Sequence, residues 1–172
     1  FKEQAEALKK LGIHVGVIYP EVRPLKNLSW PLLRNNYFQI SNEPHVLRLH
    51  GWNLFPKLVK NQMRAWIMYA KKLFQKYVQV YGKPDVIHAH SFLWGGLAAA
   101  AIHKEWGIPF LVTEHRNHFI ERIALKKEIQ QCWTTPLIKE ASIASSQVIG
   151  VSPLITKTLR EYEGGDDKYA TI

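Results

Sequence analysis

Apolar residues change their spacing several times along this chain, and each change marks an expected element. Phe1, Ala5, Leu8 and Leu11 recur at helical intervals, with Gly12 placed to stop that helix. His14 to Tyr19 is β-branched and reads as a strand ending at Pro20, followed by a loop from Glu21 to Trp30. Two short runs, Tyr37 to Ile40 and His45 to Leu49, suit a pair of strands in a hairpin. The longest helix is expected over Phe55 to Tyr81, where an apolar stripe runs from Leu58 and Val59 through Met63, Ala70 and Leu73 to Tyr81 at a period of about 3.6.

Gly82, Lys83 and Pro84 end that helix, and the pattern changes again. Asp85 to His90, Phe110 to His115 and Gln147 to Ser152 are short apolar runs that each break into polar residues at the carboxyl end. Gly95 to His103 is helix-forming, Arg122 to Ser145 is mostly helical, and Ser152 to Tyr162 forms a third helix with Pro153 in its first position. A turn at Gly164 to Asp167 then leads into the start of another strand at Lys168 to Ile172. Alternating strands and helices at this spacing predict an α/β fold, a Rossmann-like open parallel sheet with helices on both faces, as one domain over residues 1–172. Such a sheet opens with a strand that feeds a glycine turn into its first helix. Here the chain starts inside that helix and stops as a strand begins, so both ends read as cut and the first strand as missing.

Size supports one domain: 172 residues at 47% hydrophobic composition bury an ordinary core. Cys132 is the single cysteine, which excludes a disulfide framework and a four-cysteine zinc site and suits a reducing compartment. No run reaches eighteen apolar residues and the chain opens on an amphipathic stretch, so the expected location is the cytoplasm. Charge sharpens the picture. The formal balance is +9, and Pro44 to Pro84 carries no acid while Arg48, Lys57, Lys60, Arg64, Lys71, Lys72, Lys76 and Lys83 are all basic. Lys57, Lys60, Arg64 and Lys71 fall opposite the apolar stripe, a candidate face for an anion or an anionic membrane surface.

An open α/β sheet binds its ligand beyond the carboxyl ends of its strands. His90, Glu114, His115, Arg116 and Ser152 all fall there. Side chains alternate along a strand, so His88 and His90 share one side; His90 is nearer the edge and is the better ligand candidate, whereas His88 reads as a buried histidine satisfied by backbone. An imidazole at His115, with a pKa ordinarily near neutrality, can give or take a hydrogen bond or a proton. The planar fork of Arg116 matches a phosphate, or else pairs on the surface with Glu114 or Glu121. Glu114 orients His115 or is solvated, and Ser152 is a helix N-cap or a ligand contact. Three rival classes are weaker. His88, His90, His115 and His118 offer nitrogen to zinc, as in a metal-dependent hydrolase, but no Asp/Glu ligand set accompanies them and no metal is expected. A nucleic-acid partner is not expected either, because the aromatics of the basic stretch lie on its apolar stripe. No Gly-x-Gly-x-x-Gly occurs to mark a nicotinamide site.

Three segments taken in order, Pro84-Asp85-Val86-Ile87-His88-Ala89-His90 followed by Gly95-Gly96, Gly107-Ile108-Pro109-Phe110-Leu111-Val112-Thr113-Glu114-His115, and Ala144-Ser145-Ser146-Gln147-Val148-Ile149-Gly150-Val151-Ser152, carry a resemblance. They resemble the N-terminal domain of the retaining glycosyltransferases of family 4, whose GT-B fold has two facing Rossmann-like domains. The resemblance covers roughly residues 84 to 172, with a looser fit at residues 1 to 19. It implies transfer of a sugar, with retained anomeric configuration, from a nucleotide-sugar to a glycan or lipid-linked acceptor in a cleft between the two domains. It further implies that this chain is the acceptor-side half, peripheral on the inner face of a membrane, with the nucleotide-sugar a co-substrate and no cofactor. The donor would be held by a C-terminal domain that this sequence lacks, since no glutamate pair has the family's spacing of seven intervening residues. The fragment alone is therefore expected to be inactive. By the same resemblance, His115 matches a histidine that the family often places near the reacting sugar.

Overall fold

The computed structural model describes residues 2–24, 38–42, 45–54, 57–115, 133–163 and 168–172. These residues divide into two compact units, Phe1–Lys83 and Pro84–Ile172.

The first unit begins with helix α1, Lys2–Lys10, which carries Glu3 in its first turn and Lys9 and Lys10 in its last, matching the helix dipole at both ends. Gly12 stops it with φ +79°, a left-handed conformation that glycine adopts without a Cβ penalty. Ala5 is buried, but Leu11 is 77% exposed and so stands outside the expected stripe. Strands β1 (Gly16–Pro24), β2 (Phe38–Asn42) and β3 (His45–Asn53) form a mixed sheet in the order β1-β3-β2, with β1 parallel and β2 antiparallel to β3. The hairpin-like pairing of β2 and β3 is as the pattern predicts. Strand β1 instead runs past Pro20 to Pro24, through residues expected as loop. Among the described residues it pairs with β3 alone, and an edge strand tolerates proline where the missing N–H would point away from the ladder.

Helix α2, Val59–Tyr81, lays its apolar side on this sheet. Leu47 and Leu49 from β3 pack with Tyr69 and Leu73 from α2, and Ile18, Val22, Ala65, Tyr77 and Tyr81 surround them. Two glycines permit a close approach: a Cβ on Gly16 would lie 2.0 Å from the Tyr77 ring, and one on Gly51 would lie 2.4 Å from the Tyr69 ring. Burial raises the Tyr77 hydroxyl above its ordinary pKa, with Tyr81 adding to the shift. The expected start at Phe55 lies outside the described residues, and Leu58 and Val59 are exposed rather than on the buried stripe. Gly82, with φ +88°, ends the helix.

In the second unit, β4 (Ile87–His90), β5 (Phe110–Glu114), β6 (Gln147–Gly150) and β7 (Tyr169–Thr171) form an all-parallel sheet in sequence order. Crossovers run through α3 (Leu97–Trp106), α4 (Thr135–Ala144) and α5 (Pro153–Glu163). Phe110, Val112 and Val148 on the strands, and Ile102, Ile138, Ile155 and Leu159 on the helices, are buried to within a few per cent. Gly107 (φ +65°) closes α3 as the Gly-Ile-Pro sequence predicts. The chain does not pass straight from β4 into α3. A wide helical turn, Ser91–Gly96, intervenes, with Ser91 in the left-handed region at φ +62° and non-helical dihedrals at Leu93. The helix expected from Arg122 lies largely outside the described residues; Trp133 and Thr134 form a turn and α4 follows.

Candidate functional site

Parallel register decides which side chains meet at the carboxyl edge of the second sheet. His88 stands opposite Leu111 and His90 opposite Thr113, so residues 88, 90, 111, 113 and 115 fall on one side of β4 and β5. Ala89, Val112 and Glu114 fall on the other, and all three are buried. On the first side a line of polar contacts results. Thr113 Oγ1 lies 2.7 Å from His88 Nε2; the His88 and His90 rings stack with centroids 4.5 Å apart; and His90 Nδ1 lies 3.0 Å from His115 Nε2, with those rings stacked at 5.3 Å. Burial lowers the proton affinity of His88, and neighbouring His115 lowers it further. His90 is pushed down to about 4, first by burial and then by the repulsion a charge would meet from His88 and His115. Both β4 imidazoles are therefore neutral at pH 7.

Behind this line, Glu114 is 1% exposed. Its Oε2 accepts the N–H of Phe92 at 2.9 Å and its Oε1 accepts the N–H of His115 at 3.0 Å. The carboxylate thus joins the turn after β4 to the end of β5, and holds the backbone from which His115 projects. Its oxygens face these backbone amides and the side chain is buried rather than solvated. The two glycines of the turn have steric causes. A Cβ on Gly95 would meet the His90 carbonyl at 2.9 Å, and one on Gly96 would press on Phe92 at 3.2 Å and Val112 at 3.4 Å. The backbone N–H of Val151 reaches the Glu114 carbonyl at 3.4 Å, which ties the end of β6 to the same edge.

Ser152 sits where a helix cap belongs. Its hydroxyl accepts the N–H of Ile155 at 3.3 Å, three residues into α5, and its carbonyl accepts the Thr156 hydroxyl at 3.2 Å. Arg116 and His118 lie outside the described residues, as does Cys132. In the first unit Lys57, Lys60 and Arg64 are exposed and Lys71 is half-buried. That unit also holds a cluster which the sequence pattern did not single out: Glu21 accepts Arg23 Nε at 3.1 Å and lies 3.5 Å from His50 Nε2, directly across the β1–β3 ladder. Thr113 was missed too, although extending the strand register from His90 finds it. Nothing in the sequence announces the Phe92 amide as a partner of Glu114.

Comparison with known proteins assigns the chain to a family. The model of Glycosyltransferase Family 4 matches residues 1–172. The chain belongs to glycosyltransferase family 4. Among curated proteins it is similar to TuaC of Bacillus subtilis, whose name describes a glycosyltransferase of teichuronic acid biosynthesis, with 27% identity over 119 residues. That match covers 65% of this chain and 30% of TuaC, so the chain spans about three-tenths of that relative's length. Among solved structures it is similar to the sucrose-phosphate synthase of Thermosynechococcus elongatus, with a TM-score of 0.59 and 18% identity over 99% of this chain and 80% of that one. This second likeness is one of fold: it is the Rossmann-like half that the strand–helix alternation predicts, in the GT-B form that the resemblance implies. The family assignment leaves the zinc-hydrolase alternative without support. Among the described residues no group of three or more His, Cys, Asp or Glu side chains is set to hold a metal ion.

Proposed function

We propose that this chain is the acceptor-side domain of a retaining glycosyltransferase, which moves a sugar from a nucleotide-sugar to a glycan or lipid-linked acceptor. The observation that carries the reading is the match of the family model along the whole chain. Chemical support comes from the sheet edge, where His115 is exposed and held at its backbone by Glu114 and at its ring by His90. His115 is the group that contacts the reacting sugar or donor phosphate, with His90 beside it and Arg116 next in sequence. The donor is held by a C-terminal domain beyond this sequence, and the isolated chain is inactive.

The finer reading concerns the acceptor. TuaC's name points that protein to teichuronic acid biosynthesis, which supports polysaccharide biosynthesis as the setting here. Exposed Lys57, Lys60 and Arg64 fall in the same stretch of sequence as exposed Leu54, Leu58 and Val59, and basic and apolar side chains together suit an anionic lipid surface. No described helix is long and apolar enough to cross a membrane. Peripheral attachment on the cytoplasmic side, with a lipid-linked acceptor, fits these features.

The test is turnover of UDP-, GDP- and ADP-sugars by the full-length protein, with and without EDTA, beside its His115→Ala variant. One donor class is expected to be consumed in EDTA, with a loss of a hundredfold or so in the variant. No consumption of any donor, or activity that needs added zinc and survives loss of His115, would overturn the reading.

A further inference from the structure

His90 was singled out as a ligand contact, yet its ring is committed elsewhere: Nδ1 meets Nε2 of His115 at 3.0 Å, and its face stacks on His88. Two neutral imidazoles joined nitrogen to nitrogen hold one proton between them, so one ring donates and the other accepts. Because each neutral ring carries a single N–H, fixing one nitrogen fixes the tautomer of the whole ring. His115 is exposed, whereas His90 is half-buried between its strand neighbours.

We propose that His90 is a positioning residue for His115: its Nδ1 accepts the Nε2–H of His115 and so sets the tautomer of that ring. The inference rests on the transferase reading only for what His115 does to a substrate; the pairing itself stands on the geometry. Thr113 and His88 complete the support, since the 2.7 Å contact between them fixes the ring on which His90 stacks. Among the described residues of β4 and β5, His88 is the other titratable side chain on the side of the pair, and Glu114 lies behind it. The turn Ser91–Gly96 and the first turn of α3 bring none.

Full-length protein labelled with 15N-histidine tests this by NMR. A nitrogen–nitrogen coupling across the His90–His115 hydrogen bond and a single tautomer at His115 are expected. In His90→Leu the coupling disappears and His115 shows the mixed tautomers of a free imidazole. In His90→Asn, whose amide reaches the place of Nδ1, the single tautomer returns. Turnover follows the same order: kcat falls on the order of ten- to a hundredfold in His90→Leu and recovers most of that in His90→Asn, while KM for the donor stays within about twofold. An amide fingerprint shows that each variant is folded. Absence of the coupling in the wild type, or a His115 tautomer indifferent to His90→Leu, overturns the proposal. So does a folded His90→Asn variant as slow as His90→Leu. A coupled pair in a protein that consumes no nucleotide-sugar sinks the transferase reading instead and leaves the pairing intact.

Discussion

Replacing Glu114 should loosen the turn after β4 more than any surface change. Its carboxylate is 1% exposed and accepts two backbone amides, from Phe92 at 2.9 Å and from His115 at 3.0 Å. Hydrogen bonds to a charged acceptor contribute about 1.5–3 kcal/mol each, and an amide left buried without a partner costs about 1–3 kcal/mol. Against that stands the desolvation of the carboxylate, which removal of the group gives back in part. Local destabilisation by Glu114→Ala is therefore about 2–5 kcal/mol. Glu114→Gln keeps one acceptor oxygen for one amide but turns an NH2 toward the other, so its effect is roughly half as large. Hydrogen–deuterium exchange of the segment 91–97 in the full-length protein reads this directly, since local opening sets the exchange rate. At about 1.4 kcal/mol per decade, Glu114→Ala should speed exchange there by about thirtyfold up to roughly four thousandfold, with Glu114→Gln in between. Exchange within about threefold of wild type in Glu114→Ala, or faster exchange in Glu114→Gln than in Glu114→Ala, would refute the assignment of this carboxylate as the latch of the turn.

Two further outcomes are expected. His90 has a folded pKa depressed to about 4 against an ordinary 6.5, so the unfolded chain binds more protons between those values; stability is full above about pH 6.5 and falls as pH drops toward 4. Full conversion of the shift gives about 3 kcal/mol, which solvent screening of a half-exposed ring reduces to about 1–2 kcal/mol. From urea melts, the loss of unfolding free energy between pH 7.5 and 4.5 should be larger in wild type than in His90→Asn by that amount, and parallel pH dependences would count against it. At the start of α5, Ser152→Ala should cost about 1 kcal/mol by loss of the 3.3 Å cap, and Ser152→Asp should restore it. A thermal midpoint unmoved by Ser152→Ala would remove the cap assignment.

Sequence pattern reached furthest where short apolar runs are bounded by glycine and proline. The strands ending at His90, Glu114 and Gly150, and the helix ending at Tyr81, follow from it within a few residues at most boundaries. It failed at β1 because proline signals a break only where the N–H would be needed, and an edge strand does not need it. It failed at Ser91–Gly96 because Gly95-Gly96 reads as the entry to a helix, while the conformation there depends on how near the His90 carbonyl and Val112 lie. The site was half legible. Period-two alternation puts His88 and His90 on one side, but pairing either of them with Thr113 or His115 takes the register between strands, a long-range fact. Burial of Glu114 likewise comes from the turn that closes over it, and no local spacing encodes that.

Gly16 and Gly51 bear on how far α2 is free to move. Each leaves a notch in the sheet, one on β1 and one on β3, and Tyr77 and Tyr69 fill them from positions about two turns apart on the helix. Two keys in two keyways define a direction as well as a place. A slip of the helix by one residue would shift it about 1.5 Å and rotate it by about 100°, lifting both rings out together. The azimuth of α2 on its sheet is thus locked, and with it the bearing of Lys60 and Arg64: whatever surface those cations address, the first unit meets it at one fixed angle.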